Sequence, residues 1–313
     1  MNPWLKFVSK RLAGLVVVFF AASFLVFSLL YLAPGSPISF LLGNRSGTPE
    51  QIAAIRAQYH LDDPFLTRYA AWLGGILHGD LGQSIVYRQD VAALIGARIP
   101  TTAALVGYAS VIILIVGVAI GLLAALRPGW VDATLRGGMT VALSTPPFVV
   151  GVLLILVFAL SLGWFPVFGA GRGFADTVWH LTLPALALAG GGAAFLGRIT
   201  RAATRGELAR DHVETARARG LGESRVITRH VVRNALIPVV TVAGLTVASL
   251  VAGAVVVESV FAVDGLGSLL VRAILQRDFV VVQALVLLLV VTFIVINTIV
   301  DVIYLLVDPR IKA

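Results

Sequence analysis

The sequence predicts an all-α membrane protein with six crossing helices. Three observations lead there. Apolar residues make up 58% and charged residues 13% of the 313, with a mean hydropathy of +0.96. Soluble domains carry about 25% charged residues and about 45–50% apolar ones, so these values exclude disorder and argue against a soluble enzyme. Six long stretches lack any charged side chain: 12–44, 99–126, 137–171, 177–197, 234–257 and 279–300. Each can span a hydrocarbon core, which needs about 20 residues. Finally, the charges between these stretches divide by sign along the chain.

The first span, 12–33, should end near Tyr31, because Pro34-Gly35-Ser36-Pro37 breaks a helix. It is longer than a signal-peptide core and reads as a retained anchor. Residues 1–33 thus form an N-terminal tail and first helix, 34–98 an external segment, and 99–313 a core of five further spans. In the external segment, Thr48-Pro49-Glu50-Gln51 is a helix start with Pro at the first position. A second helix starts at Asp63-Pro64. Its apolar residues Phe65, Leu66, Tyr69, Trp72, Leu73, Ile76 and Leu77 keep helical spacing. Packing on the membrane surface or on neighbouring spans explains this stripe better than substrate contact. The third span should bend at Pro146-Pro147 and end before the interfacial cluster Gly163-Trp164-Phe165-Pro166.

Six spans place both termini on one side. The segments 1–11, 127–136, 198–233 and the end from Asp301 hold 16 of the 24 Lys/Arg and 7 of the 16 Asp/Glu. The opposite segments hold the remaining 8 basic and 9 acidic residues. Positive charge concentrates on the cytoplasmic side, so the basic set is expected there. The net charge of +8 is then a topology signal and not a nucleic-acid footprint.

Residues 198–233 are too charged to cross a membrane and too regular for a linker. Residues 207–219 are good helix formers, closed by Gly220 and Gly222. Thr215, Ala216 and Ala218 are small enough for close approach. The flanking arginines suit acidic groups on a soluble partner or, equally, anionic lipid. Arg198, Arg201 and Arg205 follow the fourth span at spacings that suit lipid headgroups.

Within the spans, Gly244, Ala248 and Ala252 repeat every four residues, as do Ser249 and Gly253. Such spacing brings helices together, either inside this chain or against a second one. Asn297 and Asp301 share a helix face near the end of the last span. A structural hydrogen bond explains them better than a substrate or proton site. There is no cysteine, and no lysine follows a glycine, so the chain has no phosphate-binding loop. His60, His78, His180, His212 and His230 show no metal-ligand spacing. No hydrolase motif is present. A secondary transporter would carry more intramembrane acids and an internal repeat.

Several ordered motifs carry a resemblance. Glu214-Thr215-Ala216, three residues and Gly220 resemble the EAA coupling motif of permease subunits of binding-protein-dependent ABC importers. Thr215-Ala216-Arg217-Ala218-Arg219-Gly220-Leu221, followed by His230-Val231-Val232-Arg233-Asn234-Ala235-Leu236-Ile237-Pro238, is similar to the dipeptide/oligopeptide/nickel group. Leu32-Ala33-Pro34-Gly35-Ser36-Pro37, Gly79-Asp80-Leu81-Gly82-Gln83-Ser84, Ser144-Thr145-Pro146-Pro147-Phe148, His180-Leu181-Thr182-Leu183-Pro184, Glu258-Ser259-Val260-Phe261, Asp264-Gly265-Leu266-Gly267 and Asp308-Pro309-Arg310 extend the similarity along nearly the whole chain. Ser36 and Asp264 depart from that group's usual Asp and Pro. The extended external segment looks like the B-type subunit.

The resemblance implies a type I ABC importer permease fold with a helical extracytoplasmic insertion after helix 1. It implies a bacterial cytoplasmic (inner) membrane location and a cargo of di- or oligopeptides, with nickel complexes or glutathione as alternatives. Implied partners are a second, different permease chain, two ATPase subunits, an extracytoplasmic binding protein and membrane lipid. The chain itself is then no enzyme and holds no cofactor, ATP and Mg being bound by the ATPase subunits. Coupling would run through His212, Glu214, Thr215, Ala216, Arg217, Arg219, Gly220, Leu221 and Gly222. Glu214 is the expected polar anchor, Ala216 the close contact and Gly220 the turn.

Overall fold

The structure is a computed structural model that describes residues 3–32, 48–58 and 63–307, with α1 side chains described over Ala13–Ser28. The Pro34–Pro37 and Asp308–Arg310 motifs and the side chains of Asp301 and Tyr304 lie outside the described residues. Among those described, the chain is helical throughout, with one isolated antiparallel bridge between Gln83 and Asp90. In hydrocarbon every backbone N–H and C=O needs an internal partner, and helices provide it within each segment.

The chain divides into two compact units. One holds residues up to 100 with 265–294; the other holds 101–264 with the chain from 295 onward. In the first unit, α1 (Pro3–Leu32) is followed by α2 (Pro49–Gln58) and α3 (Phe65–Leu77). Both short helices start where their prolines predict: Pro49 opens α2 and Pro64 caps α3. The apolar stripe of α3 packs on α1. Tyr69 lies 5.4 Å from the Phe24 ring and Trp72 5.3 Å from Phe27, centroid to centroid. The Tyr69 hydroxyl meets the buried Ser23 Oγ at 2.8 Å. The bond keeps both hydroxyls satisfied away from water.

After α3 the chain turns at Gly79 and Gly82, both at positive φ, before α4 (Val91–Gly96). Asp278, fully buried, holds this turn segment. Its carboxylate accepts a short hydrogen bond from Ser84 Oγ and another from the Val86 amide at 3.3 Å. The Ser84 oxygen in turn accepts from the Tyr87 amide. Apolar packing of Val91, Leu94 and Ile95 on α13 (Leu266–Leu275) and on Val281 and Leu285 of α14 (Phe279–Val307) completes the unit.

The second unit is organised around a 35-residue helix. Helix α5 (Ile99–Ile112) passes through a π-helical stretch, Ile113–Gly117, into α6 (Val118–Leu126). Next come α7 (Trp130–Ser144) and α8 (Pro147–Leu154), which continues as a π-helix over Ile155–Ser161. Their axes differ by 104°. The break sits at the predicted Pro146-Pro147, where Pro146 is extended and Pro147 starts the new helix. The central helix α9 (Phe174–Leu208) touches α6, α7 and α8 and pairs with α12 (Arg233–Val260).

Helices α6 and α9 pack closely. A Cβ on Gly121 would lie 2.5 Å from Thr200 Cβ and 2.6 Å from the Gly197 carbonyl. One on Gly117 would meet the Ala193 carbonyl at 3.0 Å, and one on Gly197 would meet Ile120 and Met139 at 2.9 Å. Gly117 and Gly121, four apart, face Ala193 and Gly197, also four apart, and these small residues let the backbones meet. One buried polar pair joins two helices. Thr102 Oγ1 donates to Glu258 Oε1 at 2.6 Å, both side chains being buried.

Near the far end of α9, Asp132 accepts from Arg201 Nε at 2.5 Å and from a second nitrogen of the same guanidinium at 2.8 Å. Arg205 joins at 3.1 Å. The sequence suggested lipid headgroups for Arg201 and Arg205. Instead the Asp132 carboxylate, 69 and 73 residues away in sequence, takes both, because its buried position demands compensation.

The helical runs Val91–Leu126, Phe174–Leu208, Glu223–Val260 and Phe279–Val300 are each long and apolar enough to cross a membrane, and the bent α7–α8 pair makes a fifth when counted as one span. Helix α1, 30 residues long, is the sixth apolar segment the sequence predicts.

Two outcomes are expected. Gly121→Ala forces α6 from α9 and should destabilise the folded chain by about 1–3 kcal/mol, read from denaturant titration in mild detergent. Gly107→Ala, which meets nothing within 4 Å, should leave the midpoint in place. Asp278→Ala should raise hydrogen exchange at the Val86 amide by roughly tenfold or more, the loss of a bond to a charged acceptor.

Candidate functional site

The loop between α9 and α12 is folded. Residues 207–219 are expected as one helix, but the structure divides them. Helix α9 ends at Leu208, Arg210 is extended, and α10 spans Asp211–Ala218. No glycine or proline marks this break. Tertiary packing sets it: turning the chain at Arg210 lets Val213 and Ala216 bury against Val226 and Val231, with Leu208 and Leu221 at the edge.

Helix α10 ends as its glycine predicts. Gly220 has φ +75°, its amide donates to the Arg217 carbonyl at 2.9 Å, and the Leu221 amide reaches back to the Ala216 carbonyl at 3.3 Å. This pair of bonds, with Leu221 and Ala216 in one apolar cluster, is the Schellman ending. The chain continues through α11 (Glu223–Arg225) and a π-helical turn, Val226–Val232, into α12. Arg217 clamps the glycine turn by a two-pronged pair with Glu223, at 3.1 and 2.6 Å. Those hydrogen bonds, and then the charges of Glu223 and Glu214, hold the Arg217 guanidinium above its ordinary pKa.

The named loop residues divide by face. Val213 and Ala216 point inward. His212, Glu214, Thr215, Arg217, Ala218, Arg219, Gly220 and Gly222 are exposed, and Leu221 is half-buried. Thr215 Oγ1 donates to the Asp211 carbonyl. The outer surface is therefore a short polar helix with acidic residues Asp211 and Glu214 in its first turn and basic Arg217 in its last. That order suits the helix dipole.

The small residues of α12 also divide. A Cβ on Gly244 would strike Val300 at 2.4 Å, Ala248 is buried, and a Cβ on Gly253 would meet Leu188 at 2.9 Å. These three face this chain's own helices. Ser249 and Ala252 are exposed, between exposed Leu245 and Val256, and form a continuous outward stripe. Asn297 is half-buried in α14.

Sequence reasoning did not single out Glu207, Asn234 or Asp132. Each is a lone polar residue whose partner is distant or across a turn. The Gly117–Gly121 spacing was a readable signal for the α6–α9 seam.

The two closing glycines should behave differently. Gly220→Ala places a side chain at positive φ and should cost about 1 kcal/mol of local stability, raising hydrogen exchange across Ala216–Ala218. Gly222, with φ −61° and open space around its Cβ position, should accept alanine with protection of α10 unchanged.

Comparisons with known proteins place the chain. A family profile described as binding-protein-dependent transport system inner membrane component matches residues 117–313. The companion profile for the N-terminal part of such membrane components matches 4–106. A glutathione transport system permease protein of Escherichia coli is 40% identical over 312 residues, covering 98% of this chain and 99% of the relative. A Brucella abortus protein named for a peptide transport system permease is 37% identical, covering 97% and 98%. Among solved structures, an inward-facing MetNI methionine ABC transporter matches with TM-score 0.59 and 21% identity, covering 69% of this chain and 96% of that one. An amino acid ABC transporter matches with TM-score 0.52 and 20% identity, over 68% and 93%. The helical architecture is thus the type I importer permease fold with a helical insertion after α1. The chain belongs to the family of inner membrane components of binding-protein-dependent transport systems, the permease subunits of ABC importers.

Proposed function

We propose that this chain forms half of the path by which short peptides, of glutathione's size class, enter a bacterial cell. The observation that carries the cargo assignment is the 40% identity, over nearly the full length of both chains, to a glutathione permease. The peptide-permease relative at 37% supports the same class. Nickel complexes are the competing cargo within this group, and among the described residues no cluster of metal-ligating side chains supports it.

The basic segments, including 198–233, face the cytoplasm, as do both termini; their excess of Lys/Arg supports this orientation. Residues 34–98 then lie outside, and 99–313 form the permease core. A second, different permease chain completes the path, with the exposed Leu245–Ser249–Ala252–Val256 stripe of α12 available to it.

Two ATPase subunits, which bind ATP and Mg, each receive one docking helix. In this chain that helix is α10. Because Ala216 packs inward, the surface offered is Glu214, Thr215, Ala218 and Arg219, with Gly220 and Gly222 setting the turn and His212, Arg217 and Leu221 supporting it. Nucleotide binding closes the ATPases, draws the docking helices together and shifts the path from inward- to outward-facing. The shift is a change of population, so its size is limited by how much better nucleotide binds one state.

A tagged pull-down from native membranes tests this reading. A second six-span chain and P-loop ATPases should co-purify, and the purified importer should take up tri-alanine or glutathione only with ATP. Gly220→Asp should abolish uptake and release the ATPase with the membrane helices still inserted. Uptake driven by an ion gradient without any ATPase would replace this reading with a secondary transporter.

A further inference from the structure

One carboxylate outside the docking motif ties the docking helix to both long helices that flank it. Glu207 sits in the last turn of α9 and is 8% exposed. Its Oε2 lies 3.2 Å from Arg210 Nε, at the extended residue that starts the turn into α10. Its Oε1 lies 3.3 Å from His212 Nε2, inside α10. The same Oε1 accepts from Asn234 Nδ2 at 3.0 Å, in the first turn of α12. Asn234 is itself anchored, since Nδ2 also donates to the His230 carbonyl at 2.9 Å. Three helices therefore converge on one buried side chain.

At its other end α10 is held by the Arg217–Glu223 pair, and between the two ends by the apolar cluster of Val213, Ala216, Val226 and Val231. Apolar packing resists separation but fixes orientation weakly. A hydrogen bond to a carboxylate is directional, and Asn234 makes one to Glu207, with Arg210 and His212 placed against the same carboxylate. We propose that Glu207 is the positioning residue that makes α10, the end of α9 and the start of α12 move as one body. Displacement of the docking helix is then delivered to two membrane helices at once.

This rests on the assignment of α10 as the ATPase docking helix. Glu207 touches neither ATPase nor cargo and acts through its neighbours. Without it, α10 still folds and still presents its outer face, but slides on its apolar contacts. ATP is then hydrolysed without the membrane helices following.

The test uses the whole importer in proteoliposomes with its binding protein, and tri-alanine and glutathione as cargo probes. The readout is peptide imported per ATP hydrolysed. Glu207→Ala should co-purify with normal amounts of ATPase and lower that ratio by about tenfold, the size of a typical coupling free energy between sites. Glu207→Asp, which keeps the charge, should recover part of it. A purely structural defect lowers import and hydrolysis together and leaves the ratio at the wild-type value; that result overturns the proposal. If Glu207→Ala yields no stable complex, Glu207→Gln and Asn234→Ala carry the test. Each should lower the ratio about threefold by losing part of the junction, and wild-type ratios in both also overturn it. The underlying docking assignment fails separately: Gly220→Asp with normal ATPase binding and uptake would refute it whatever the Glu207 variants do.

Discussion

The close approach of α6 to α9 is the contact on which the larger unit depends. Lipid tails are as apolar as leucine side chains, so burying hydrophobic surface gives membrane helices little reason to associate. What remains is van der Waals contact, and that grows as backbones come nearer. Gly117, Gly121 and Gly197 remove the side chains that would hold α6 and α9 apart. With that seam set, α9 offers its other faces to α7, α8 and α12. Polar groups are then fitted into a frame already closed: Thr102 with Glu258, and Asp132 with Arg201 and Arg205. Each is a group whose isolation in hydrocarbon would be costly, and each has its partner on another helix.

Much of this frame was legible in the sequence. Charge-free stretches of sufficient length located the crossing segments. Proline located the starts of α2 and α3 and the sharp break between α7 and α8, because its effect on the backbone is local and independent of the rest of the fold. Gly220 was legible for the same reason. What could not be read was any pairing between distant residues. Asp132 and Arg201 are separated by a whole hairpin of helix, and nothing in the local pattern of either announces the other. Their partnership led the arginines to be assigned to lipid. The small residues of α12 were found by their spacing, but spacing gives a periodicity and not a direction. Only the packed structure shows Gly244, Ala248 and Gly253 facing inward while Ser249 and Ala252 face out.

The docking loop shows the same division at smaller scale. Composition identified a short, glycine-closed helix. It did not reveal that the helix has an inner face, or that residues 209–210 leave the helical path. Val213 and Ala216 are apolar or small in a run dominated by charge, and that contrast was the available signal for an inner face. The result is a loop with two kinds of attachment. An apolar cluster holds it from within, and Glu207 meets Arg210, His212 and Asn234 at its entrance. The family motif spans both faces, with Glu214 and Thr215 outward and Ala216 inward.

The length of α9 bears on where that surface sits. Its 35 residues extend about 52 Å, against roughly 30 Å for a hydrocarbon core. A helix that long cannot be contained in the bilayer unless steeply tilted, so one end must stand clear of the lipid tails. The loop is thus mounted on a post and not laid on the membrane. Under the proposed docking, a soluble partner would meet the loop clear of the lipid tails and not within them.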